Sequence, residues 1–143
     1  MANVIYRGPI TEQPQTVNKP VAGAYLPGTW VEETATTLAQ ITTATAKRPM
    51  VLTNNWMKDQ DHLTAYTSGD TGIAYLAEPG QTYQIAMANA TYTYGQELTI
   101  AASGRCAAAG SGNIVIGWFR GTAGAVTAGA LVDVEIANAY VKA

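Results

Sequence analysis

Leu131-Val132-Asp133-Val134-Glu135-Ile136 alternates apolar and acidic side chains along its length. Successive side chains of a strand point to opposite faces, so this period of two directs Val132, Val134 and Ile136 inward and Asp133 and Glu135 toward water. The same period recurs upstream, where Tyr83, Ile85 and Met87 are separated by Gln84 and Ala86. Between these runs lies Ile114-Val115-Ile116-Gly117-Trp118-Phe119, apolar on both faces. It predicts the central, most buried strand, with Trp118 in the core.

Shorter β-like runs continue outward from these, punctuated by Gly, Asn and Asp. Thr29-Trp30-Val31-Glu32 follows the turn dipeptide Pro27-Gly28, and Met50-Val51-Leu52-Thr53 runs from Pro49 to Asn54-Asn55. Thr71-Gly72-Ile73-Ala74-Tyr75-Leu76 lies between two turns, and Leu98-Thr99-Ile100 follows Tyr92 and Tyr94, which the alternation places on one face. Leu38-Ala39-Gln40-Ile41-Thr42 has a pattern that a helix could share. The threonines around it favour a strand, because β-branching restricts rotamers in a helix. The chain is predicted all-β, a small β-barrel or β-sandwich body over residues 30–143.

Residues 1–29 differ in kind. They hold Pro9, Pro14, Pro20 and Pro27, spaced through polar residues. Proline fixes φ, removes a donor and pushes its predecessor toward extended backbone, so this segment is neither a helix nor a good central strand. It predicts an extended N-terminal arm. Val4, Ile5, Tyr6, Tyr25 and Leu26 are its apolar anchors and candidate partner contacts.

The 143 residues suffice for one domain with a sizeable core. Charged residues are 13% of the chain, about half the usual ~25%. Thr, Ala, Gly, Gln and Asn take their place, giving a surface that can be buried against another protein without stranding ions. A net charge of −2, with no basic cluster larger than Lys47-Arg48, argues against direct nucleic-acid binding, which needs several phosphate contacts. No apolar run is long enough for a membrane span. The N-terminus lacks the basic and apolar regions of a secretion signal, which predicts use without export by that route.

Chemistry-bearing residues are sparse. His62 is the one histidine, and Ser111, within Gly110-Ser111-Gly112, reads as a turn rather than a nucleophile elbow. Asp59, Asp61 and Asp70 lack the spacing of a calcium loop. Cys106 excludes an intrachain disulfide by being alone, and beside Arg105 on a strand it faces the other way, as a small buried residue. The expectation is a chain without catalytic residues, metal or cofactor. Trp56, after Asn54-Asn55, is the aromatic expected to be exposed, as a protein contact or a sugar platform.

The order Tyr66-Thr67-Ser68-Gly69-Asp70-Thr71, Gln81-Thr82-Tyr83-Gln84-Ile85, Tyr94-Gly95-Gln96-Glu97-Leu98-Thr99, Ala102-Ser103-Gly104-Arg105, Val115-Ile116-Gly117 and Leu131–Ile136 resembles the small head decoration, or cement, proteins of tailed bacteriophages. Pro27-Gly28-Thr29-Trp30-Val31-Glu32 is similar to the start of their first body strand. The longer, proline-spaced N-terminal segment departs from that pattern. The resemblance implies a structural virion protein on the capsid exterior, assembled in the host cytoplasm. It implies clamping of neighbouring major capsid protein subunits by a homo-oligomer, a trimer in preference to a dimer. A tail-tube or baseplate component and a carbohydrate-binding module are the alternatives, distinguished by ring formation and by glycan binding through Trp56.

Overall fold

Met50-Val51-Leu52 and Ile73-Ala74-Tyr75-Leu76 are apolar without a break, so a strand at either place needs cover on both faces. The fold supplies it by building two hydrophobic cores on either side of one shared wall. The computed structural model describes residues 5–44 and 48–143. In chain order its strands are β1 (Tyr6–Gly8), β2 (Thr16–Pro20), β3 (Trp30–Glu33), β4 (Leu38–Gln40), β5 (Met50–Leu52), β6 (Thr71–Leu76) and β7 (Thr82–Ala86). They continue with β8 (Ala90–Tyr92), β9 (Glu97–Ala101), β10 (Arg105–Ala108), β11 (Ile114–Phe119), β12 (Gly124–Val126) and β13 (Leu131–Val141).

Among the described residues a five-stranded sheet runs β2-β6-β5-β3-β4 and a six-stranded sheet runs β1-β7-β13-β11-β9-β10, while β8 and β12 form a small ribbon. Both large sheets are antiparallel throughout. Trp30 pairs with Val51 and Val51 with Tyr75, a row across β3, β5 and β6. That row joins Ile5, Tyr83, Ile85, Leu98, Cys106, Phe119 and Val134 in the core shared with the six-stranded sheet. One residue along, Val31, Met50 and Leu76 form the next row. With Leu52 and Ala74 they face the other way, onto Val21, Leu38 and Tyr66. The period of two thus sorts consecutive apolar residues into different cores.

Neither sheet is a closed barrel. Each curls until its flanks meet at one parallel bridge, Val21 with Leu38 and Met87 with Cys106. The expectation of one small barrel or sandwich is right in class; in form it becomes two curled sheets packed on a common wall. Gly28 ties them at the turn after Pro27. Its N–H donates to the Leu52 carbonyl at 2.7 Å, and its own carbonyl accepts from the Ala86 N–H at 3.0 Å. Its φ of +87° is one that glycine adopts without strain.

The proline-spaced segment is extended, but over residues 5–29 it does not stand apart from the body. β1 forms an edge of the six-stranded sheet and β2 an edge of the five-stranded one. Edge positions suit a segment whose prolines cannot donate to a ladder on both sides. Ile5, just before β1, is fully buried, and its carbonyl accepts a hydrogen bond from the Gln84 N–H of β7 at 2.7 Å.

Two further expectations change. β11 does lie between β13 and β9, but Trp118 is half-buried rather than a core residue. The core indole is that of Trp30, 1% exposed. An unbroken apolar run carries no phase, so only the register shows which residue faces in. Tyr92 is buried and Tyr94 exposed, because β8 ends at Tyr92 and a turn begins at Tyr94. In β13 the register shifts: the two-residue step from Val115 to Gly117 in β11 is matched by a four-residue step from Tyr140 to Ile136. The resulting bulge leaves both Ile136 and Ala137 buried and ends the alternation.

Candidate interaction surface

The sequence-predicted contacts separate into buried and exposed groups. Val4 lies outside the described residues. Ile5 is core. Tyr6 is half-buried, its ring 5.4 Å from Tyr83 and 6.0 Å from Tyr75. Trp56 opens a 3-10 turn, Trp56–Lys58, and is 38% exposed with its ring 6.0 Å from Tyr75. An aromatic chain therefore runs from the core at Tyr83 through Tyr75 to the surface at Trp56. Its outer members, Tyr75 and Trp56, line with Tyr6 a groove of about 970 Å³ that also takes in the loop carrying Ile10 and Glu12. Ile10 lines it with its side chain exposed, and Met57, next to Trp56 in the chain, is exposed as well.

Tyr25 and Leu26 belong to a second concavity, of about 700 Å³, where the two sheets meet. Its walls come from the segment before β3, from His62 and Leu63, from β7, from Ser103 and Arg105, and from the turn leading into β13. Leu26 is 46% exposed and Leu63 is 73% exposed, so both apolar side chains stand at its rim. Arg7 borders both concavities and pairs with Asp133 at 3.4 Å. The Asp133 carboxylate also accepts a hydrogen bond from the Gln84 side-chain amide. Sequence reading missed Leu63 and Arg105 as surface elements. They are isolated in sequence, and only the meeting of the two sheets brings them together.

A third cluster lies beside Trp118. The Arg120 guanidinium is 5.2 Å from the Tyr94 ring and 5.8 Å from that of Trp118, and it pairs with Glu135 at 3.3 Å. The Tyr140 hydroxyl donates to Glu97 at 2.6 Å. This bond and Lys142 hold the Glu97 carboxyl below its ordinary range.

Of the residues weighed for chemistry, Asp61, Asp70 and Cys106 are engaged within the fold, while His62 lines the second concavity. Ser111 is exposed in a turn, whose Gly110 N–H donates to Asn113 Oδ1 at 2.8 Å. Asp61 accepts from the Leu63 N–H and the Thr64 hydroxyl, which lower its carboxyl pKa. Asp70 is held by Lys58 at 2.7 Å. Cys106 is fully buried, and burial pushes its thiol up to about 12, the environment of an inert rather than a reactive cysteine. Among the described residues no group of three or more His, Cys, Asp or Glu is placed to hold a metal ion, and no helix is long and apolar enough to cross a membrane.

The class this fold defines is an all-β chain of two curled antiparallel sheets with concave seams between them. No protein-family model matches the chain, and no curated protein matches it in sequence. Among solved structures it is similar to the head fiber N base of bacteriophage phi29, with a TM-score of 0.59 at 12% identity. The likeness covers 92% of this chain and 100% of that one. At that identity it is a likeness of fold.

Proposed function

We propose that this chain is a structural, non-enzymatic protein of a tailed-phage virion that attaches to the outside of the head. The observation that carries the reading is the shared fold, which takes in the whole of a head-fiber base domain and nearly all of this chain. The low-charge surface and the apolar side chains at the two seams supply what attachment needs. Leu26, Leu63, Trp56, Met57 and Ile10 are the contacts, and each copy holds neighbouring major capsid protein subunits together. A ligand that binds the assembled shell better than free subunits stabilises the shell by mass action. Trimerisation lets several weak contacts act together.

Co-sedimentation with phage heads tests the reading, together with the temperature at which decorated and bare heads release their DNA. Decorated heads withstand a higher temperature. Protein that stays in the supernatant, or leaves that temperature unchanged, overturns it. Sedimentation velocity of the free protein tests the trimer.

A second reading rests on the cluster of Tyr94, Trp118 and Tyr140 beside Glu97 and Arg120. Aromatic faces flanked by hydrogen-bonding groups suit a glycan. Saturable glycan binding abolished by Trp118→Ala, but retained in Trp56→Ala, places it there.

A further inference from the structure

Arg105 is set apart by its position. Among the described residues Arg7, Lys19, Lys58, Arg120 and Lys142 each pair with a carboxylate, whereas Arg48 and Arg105 do not, and Arg48 is exposed to water. Neither an ion pair nor a side-chain hydrogen bond engages the Arg105 guanidinium among those residues. It is half-buried and borders the pocket between the sheets, a position that strips part of its hydration and returns no partner. No Asp or Glu lines that pocket, whereas Thr29, Gln40, His62 and Ser103 do. Acids outnumber bases in the chain, 10 to 8, so an acid-free pocket with an unpaired arginine is a local reversal of sign.

We propose that this pocket receives an acidic side chain, Asp or Glu, presented by an apolar peptide segment of a protein partner. The carboxylate meets the planar fork of Arg105 in two parallel hydrogen bonds. Leu26 and Leu63 at the rim cover the apolar residues that flank it. Arg7 is already engaged by Asp133, whose carboxylate also takes the Gln84 amide. One unpaired cation remains, which matches the single charge of a carboxylate better than the double charge of a phosphate. The apolar rim favours peptide over sugar. The proposal rests on the head-attachment reading only for the source of the segment, a loop of the shell protein.

The test titrates capped Leu-Asp-Leu and Leu-Asn-Leu tripeptides, and methyl glucuronide, into isotopically labelled protein observed by NMR. Saturable shifts are expected at the Arg105 side-chain N–H and at the Leu63 and Leu131 methyls. The Asp peptide binds about tenfold or more tightly than its Asn counterpart. Arg105→Gln, with an otherwise unchanged spectrum, loses this preference, and Arg105→Lys, which keeps the charge without the fork, retains part of it. Absence of saturable shifts at the pocket overturns the proposal, as does equal binding of the two peptides. Glucuronide binding there in place of the peptide also overturns it. Head co-sedimentation of Arg105→Gln, run in parallel, separates the two readings. Peptide binding without head binding sinks the attachment reading alone; head binding without a charge preference sinks the pocket assignment alone.

Discussion

The indole N–H of Trp30 donates to the Sγ of Cys106 at 3.2 Å, both groups buried and 76 residues apart in the chain. Trp30 belongs to the shared wall of the five-stranded sheet and Cys106 to β10 of the six-stranded one, so this bond pins one sheet to the other. A double-mutant cycle with Trp30→Phe and Cys106→Ala is expected to return a favourable coupling of about 0.5–1.5 kcal/mol in urea unfolding. Additive losses would mean the contact is packing alone.

The same burial makes the chain sensitive to alkali. The Cys106 thiol rises from 9.0 to about 12 and the Tyr66 hydroxyl from 10.0 to about 12, both by desolvation. Tyr83 is raised as well, for the same reason. A raised folded value gives stability that is complete below the unfolded value and lost as pH climbs toward the folded one. Stability is therefore flat between pH 7 and 9 as far as these groups are concerned, and above that falls by about 1.4 kcal/mol per pH unit for each group whose unfolded value is passed. Thermal melts from pH 7 to 11 check this. In Cys106→Ala the decline begins near pH 10 instead of pH 9. Native protein also leaves a thiol reagent unreacted until it is unfolded.

Gly104 and Gly112 both have positive φ, +63° and +84°, but only Gly104 sits against other structure. A Cβ there would lie 2.6 Å from Thr29 Cγ2 and 2.9 Å from the Trp30 carbonyl, whereas nothing lies within 4 Å of one at Gly112. Gly104→Ala is expected to cost about 1–3 kcal/mol more than Gly112→Ala. Equal costs would show that backbone strain alone decides, and that packing of the Ala102–Gly104 3-10 turn against Thr29 and Trp30 does not.

The strands were legible in the sequence wherever one face is apolar and the other polar, as in Leu131–Ile136 and Tyr83–Met87. The doubly covered wall was not, because Val51 and Leu52 are equally apolar and only distant partners assign them to different cores. Trp118, expected in the core, is half-buried for the same reason, and the core indole is that of Trp30. The proline spacing of the N-terminal segment argues against a sheet centre, and within residues 5–29 β1 and β2 lie at sheet edges. It is silent on pairing, which depends on the open edges of β7 and β6. Of the candidate contacts, Leu26 and Trp56 are exposed while Ile5 is core. The pocket itself draws on segments scattered from Leu26 to Leu131, a juxtaposition that no local pattern records.

This placement changes how the surface is best probed. Removing residues 2–24 would delete β1 and β2 and disturb two sheets, so point replacements are the cleaner tool. Leu26→Asp and Leu63→Asp, both exposed, are expected to leave unfolding stability within about 0.5 kcal/mol while weakening head binding by about tenfold or more. Trp56→Ala costs about 0.5–1.5 kcal/mol through its edge contact with Tyr75 and weakens head binding as well. Unchanged binding in all three would move the interface away from both seams.

Immunogold electron microscopy of purified virions, with an antibody raised against this chain, tests attachment to the head most directly. Gold on the outer surface of intact heads, lost after competition with free protein, is the predicted result. Unlabelled heads, with the chain confined to tails or to the soluble lysate, would contradict it.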